Sequence, residues 1–159
     1  MNLIDAMRRA QRYAPVDVES LARELGVKVN QSFLDPDISG ELVSRGDDLF
    51  EINVNARNSP TRQRFTIAHE LGHYVYHRDL IGEGLDDDRA YRSTDAGRYH
   101  NKDIGPREET EANKFAASLL MPKHLIDQLL NEGLSVPEMA SRLQVSEQAM
   151  AIRLGESPS

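Results

Sequence analysis

The chain has 159 residues, a net charge of −7 and no cysteine. That length suits a single domain, 1–159, with a real core, and the acidic balance argues against direct binding of nucleic acid, which needs a basic footprint. The lack of cysteine excludes a disulfide scaffold and thiolate metal ligands and fits a cytoplasmic protein. No apolar run approaches spanning length, and MNLIDAMRRAQRYAP carries no apolar h-region, so neither a membrane helix nor a secretory signal is expected.

The pattern predicts a helix over 2–14, ended by Pro15, and a second from Asp17 to Leu25, stopped by Gly26. Val27 to Phe33 alternates as a strand does, and a loop around Pro36 follows. Glu41–Ser44 and Leu49–Val54 read as two strands joined by Arg45-Gly46-Asp47-Asp48, a hairpin signal. The second of these, Leu49 to Val54, is expected to be an exposed edge able to pair with an extended peptide.

Ser59-Pro60 then supplies an N-cap and a proline at the first position of a helix over about 60–78. Within it stands His69-Glu70-Leu71-Gly72-His73, an H-E-x-x-H motif. Four residues of helix advance about 6 Å and turn about 400°, so both imidazoles project from one face and can reach one metal ion. Glu70 lies about 100° round from His69. It is poorly placed as a ligand but well placed to act as general base towards a water on the ion. The bare motif also arises by chance. Here Phe65, Ala68, His69, Gly72, His73 and Tyr76 form one stripe, which puts the histidines on the buried face. Gly72 on that stripe suggests close approach of another backbone.

From Gly82 to Arg107 the chain is polar and reads as one long loop over 82–107, either functional or solvated. It holds Asp86-Asp87-Asp88, a candidate cation site that is more simply a solvated run, and Tyr91, Tyr99 and His100, which could visit the site. A strong helix is predicted from Glu108 to Leu120, ended by Met121-Pro122. Three helices finish the chain within 123–155: Lys123 to Asn131, Pro137 to Leu143 and Glu147 to Leu154. The whole is an α+β protein, a small antiparallel sheet packed on a mostly helical domain.

A catalytic zinc takes three protein ligands and keeps one position open. His77 is rejected as the third, because two helical turns put it about 12 Å along the axis from His69. It is expected instead to be a cation favoured by the helix C-terminus. A third histidine of the metzincin kind is also missing, since Tyr76 and Asp79 stand where that pattern has Gly and His. The helix from Glu108 is the best source. Asp103 reads as loop, and Glu111 points about 100° from the centre of that helix's apolar face. Glu108 and Glu109 both flank that face, and periodicity does not separate them. Asn113, one turn after Glu109, is placed to support a ligand by hydrogen bonding and favours Glu109. Each of these acids alone would pass for an ordinary first-turn acid.

The runs RQRFTIAHELGH and EETEANKFAASLLMP, with the Glu51-Ile52-Asn53 strand and the closing VSEQAMAIRL, resemble the ImmA/IrrE (DUF955) metallopeptidases over roughly 15–155. The resemblance implies a zincin-like core, one zinc ion per chain held by His69, His73 and Glu109, and Glu70 as the base. The E-x-x-A-N run of Glu109, Ala112 and Asn113 looks like the family's ligand motif. The resemblance also implies a protein substrate, a helix-turn-helix repressor. Two rivals stand beside this reading. Leu134 to Leu154 resembles a helix-turn-helix, but Glu138 and Glu147 cancel Arg142 and Arg153, and the second helix is too apolar to read a groove. The other rival is a catalytically silent zincin fold that binds a partner in the manner of an antitoxin; an intact Glu70 speaks against it.

Overall fold

The protein is described here from a computed structural model covering residues 2–88 and 101–155. Tyr91, Tyr99 and His100 lie outside the described residues. Two short helices, α1 (Leu3–Ala10) and α2 (Val18–Glu24), lead into strands β1 (Lys28–Ser32), β2 (Ile38–Ser44) and β3 (Phe50–Asn55). Helix α3 (Pro60–Tyr76) follows, then a 3-10 turn (Arg78–Leu80) and strand β4 (Gly84–Asp88). Four helices complete the fold: α4 (Pro106–Leu120), α5 (Lys123–Asn131), α6 (Val136–Leu143) and α7 (Glu147–Arg153).

The sheet order is β1-β3-β2-β4. β2 runs antiparallel to β3 and β4, but β1 pairs parallel with β3, so the sheet is mixed. This overturns the expectation that Leu49 to Val54 is an edge. β1 pairs along the far side of β3, Lys28 opposite Glu51 and Ser32 opposite Asn55, and uses the hydrogen-bonding groups an incoming peptide would need. A parallel partner arrives from distant sequence, so no local turn signal announces it.

Helix α1 stops at Ala10 rather than at residue 14 because its last carbonyls are claimed from outside. Asp17 N–H donates to Ala10 O (2.9 Å), and Gln11 O lies 2.8 Å from His124 Nε2. The second departure is β4, which occupies part of the stretch read as loop. Aspartate is poor strand chemistry, yet Asp86 pairs with Glu41 and Leu85 with Leu42. Buried Ile81 and Leu85 anchor the segment on either side of Gly82, whose φ is +61°. α4 begins two residues before Glu108, because Pro106 takes its first position and Glu108 Oε1 accepts from Gly105 N–H (2.9 Å).

One core joins these parts, with Leu42, Ile52 and Val54 of the sheet, Ile67 and Leu71 of α3, and Leu119, Leu120 and Leu129 beyond it. Two glycines set how closely α3 can pack. At Gly40 of β2 a Cβ would meet Thr66 Cγ2 at 2.5 Å. At Gly72 of α3 it would meet Ala112 Cα of α4 at 3.0 Å and Phe115 Cβ at 3.2 Å. The backbone of α4 thus lies directly on the motif helix, as the glycine on its buried stripe suggests. α6 and α7 bury Met139, Leu143 and Met150 in the same core.

Candidate metal centre

The seam between α3 and α4 is polar at its middle. α3 starts where its sequence says: Ser59 Oγ accepts from Arg62 N–H and Pro60 follows at the first position. Nine residues on, the helix has turned His69, Glu70 and His73 inward, at 3%, 0% and 0% exposure. Their ligand atoms lie within 4.8 Å of one another. The two imidazole Nε2 atoms are 3.1 Å apart, with the rings nearly perpendicular at 85°.

From α4, Glu109 reaches the same point. Its Oε1 lies 3.6 Å from His69 Nε2 and closer still to His73 Nε2. Zinc bonds of about 2.0–2.1 Å hold donor atoms about 3–4 Å apart, and the separations of His69 Nε2 from His73 Nε2 and from Glu109 Oε1 fall in that range. Protonation points the same way. His69 Nδ1 lies 2.8 Å from Asn113 Oδ1, which only accepts, so Nδ1 carries the proton and Nε2 presents a lone pair. That lone pair is directed towards the Glu109 carboxylate, an arrangement that suits a cation. Burial pushes the Glu109 carboxyl up, but hydrogen bonds and attraction from His69 and His73 outweigh it and bring it down to about 2. Burial holds the His73 imidazole below its ordinary value, reinforced by His69 and His77 and opposed by Glu109. An ionised Glu109 carboxylate and a His73 imidazole biased towards its neutral form are what a metal ion needs from these two residues.

The structure gives each of the four nearby acids a different place, including Glu108 and Glu109, which periodicity left tied. Glu108 caps the helix through Gly105, Asp103 is exposed, and Glu111 is directed to His77. Glu109 is the one that reaches the two histidines. His69, Glu70, His73, Glu109 and Asn113 are therefore brought together.

His77 stands at the C-terminal end of α3, as expected, but it is buried: it is 5% exposed, with Nδ1 2.9 Å from His73 Nδ1 and Nε2 3.1 Å from Glu111 Oε1. The argument from axial distance rules out a shared ion but says nothing about contact between neighbours one turn apart. The repeat of histidine at 69, 73 and 77 was the signal available.

Among the described residues no helix is long and apolar enough to cross a membrane. A family model described as Peptidase_M78, IrrE N-terminal-like domain, matches residues 22–155. The radiation response metalloprotease IrrE of Deinococcus radiodurans is 36% identical over 109 residues, which is 66% of this chain and 30% of that protein. The protein of the same name from Deinococcus deserti is 38% identical over 109 residues, covering 66% of this chain and 36% of that one. The chain thus spans about a third of the length of these curated relatives. Among solved structures, a Mycobacterium tuberculosis transcriptional regulator matches with a TM-score of 0.62 at 17% identity, over 99% of this chain and 47% of that one. That last likeness is one of fold.

Proposed function

The chain belongs to the IrrE N-terminal-like peptidase family, and on that premise we propose that it is a zinc-dependent endopeptidase. The observation that carries the reading is the convergence of His69 Nε2, His73 Nε2 and Glu109 Oε1 in a buried seam that also contains Glu70. These three would hold one zinc ion per chain. When bound, the ion supplies Lewis acidity, which brings a water towards a pKa of about 7 and polarises a carbonyl.

Glu70 performs the proton chemistry. Its carboxylate takes the proton of the attacking water and returns it to the departing amine nitrogen. Asn113 keeps His69 in the tautomer whose Nε2 faces the seam. The intact glutamate separates this reading from a silent partner-binding fold.

The substrate is a protein segment that can be presented in extended form. A helix-turn-helix repressor in the cytoplasm is the substrate that the ImmA/IrrE resemblance supports. The test is incubation of the zinc-loaded protein with such repressors and with an unstructured control protein. Cleavage of a repressor at one site, stopped by a chelator and restored by zinc, is the expected result. Cleavage of neither protein by zinc-loaded material would sink the peptidase reading. Cleavage of the unstructured control alone would sink only the repressor assignment.

A further inference from the structure

His77 and Glu111 have no part in the hydrolysis just described, yet both are committed to its geometry. His77 is buried at the end of α3, between His73 of its own helix and Glu111 of α4. A carboxylate can only accept, so the 3.1 Å contact with Glu111 Oε1 requires the proton on His77 Nε2. A neutral imidazole has one N–H, and His77 Nδ1 is then a lone pair. While His77 is neutral, the 2.9 Å contact between the two Nδ1 atoms has His73 as its donor. With its proton on Nδ1, His73 turns a bare Nε2 towards His69 Nε2 and Glu109 Oε1. For a neutral His77 the reverse assignment would point a lone pair at the Glu111 carboxylate.

We propose that His77 and Glu111 are positioning residues, a two-member chain that fixes His73 in the tautomer and ring orientation a metal ion requires. The inference rests on the metal-centre reading above. Metal-ligating histidines as a rule donate their second N–H to an oxygen acceptor. His69 follows that rule directly through Asn113, whereas His73 reaches its carboxylate through an intervening imidazole. The reason lies in the helix. The place one turn below His73 is filled by His77, and the acid on α4 sits beyond it.

The test compares zinc affinity, by competition with a chromophoric chelator, for the unaltered protein, His77→Leu, His77→Asn, Glu111→Ala and Glu111→Gln, with circular dichroism to confirm folding. Leu fills the space without an acceptor, and Asn returns an acceptor oxygen near the place of Nδ1. Gln at 111 keeps an acceptor without the charge. His77→Leu and Glu111→Ala should each weaken zinc binding by about 10- to 100-fold, with most of the loss regained in His77→Asn and Glu111→Gln. Nitrogen NMR of the metal-free unaltered protein should show His73 protonated at Nδ1 and bare at Nε2. The chain is refuted if His77→Leu binds zinc like the unaltered protein, if His77→Asn is no better than His77→Leu, or if His73 carries its proton on Nε2. Should His77→Leu not fold, the His73 tautomer decides alone. An unaltered protein that binds no zinc removes the centre and the chain with it; zinc binding indifferent to His77 removes the chain only.

Discussion

Two regions of this small protein bury polar side chains, and they do it in opposite ways. In the sheet, Asn53 Nδ2 donates to buried Glu41 Oε1 (3.1 Å), and Asn30 Nδ2 donates to Asn53 Oδ1 and Glu51 Oε1 (both 3.0 Å). Arg45 Nε closes the far end on Glu51 Oε2 (3.0 Å). Donors meet acceptors all along this network. In the α3–α4 seam, by contrast, two imidazole Nε2 atoms and a carboxylate oxygen face one another, and the imidazole protons are drawn outward to Asn113 and His77. A closed network holds a fold together. A set of acceptors turned to one point is an arrangement that suits a cation.

The contrast makes the seam variants costly to chemistry and the sheet variants costly to stability. Glu70→Gln should lower peptide cleavage by about 10²–10⁴-fold, the range of a general base, with zinc still bound. A cleavage assay beside metal analysis checks both halves, and wild-type turnover would remove Glu70 from its role. Glu109→Ala should lower zinc affinity by more than about 100-fold, beyond what a supporting residue contributes. Chelator competition would read a smaller loss as evidence for another ligand.

Asn53→Ala removes the Asn53 amide donor from buried Glu41 and should cost about 1–3 kcal/mol in denaturant unfolding, with zinc affinity unchanged. If zinc binding fell as far as stability, the two regions would not be independent. Glu108→Ala should have the smallest effect, about 1 kcal/mol or less from the lost contact with Gly105 N–H, and no change in zinc affinity.

What could be read beforehand follows from range. The motif helix, its cap at Ser59, the inward stripe and the close approach at Gly72 are all local periodicities, and a 3.6-residue repeat exposes them. The choice of Glu109 leaned on Asn113, four residues away, and on the resemblance of the E-x-x-A-N run to the family's ligand motif. β4 was hidden because three aspartates contradict strand propensity, and only pairing with β2 over forty residues overrides them. The interior position of β3 was hidden because its parallel partner has no local signature. The burial of His77 against His73 was hidden because distance to a shared ion was weighed and contact one turn away was not.

The account turns on three atoms meeting one ion. A crystal structure of the zinc-loaded protein should show zinc bound by His69 Nε2, His73 Nε2 and a Glu109 oxygen, with Glu70 outside bonding distance. Zinc held by Glu108, Glu111 or His77, or with Glu70 as a ligand, would contradict it.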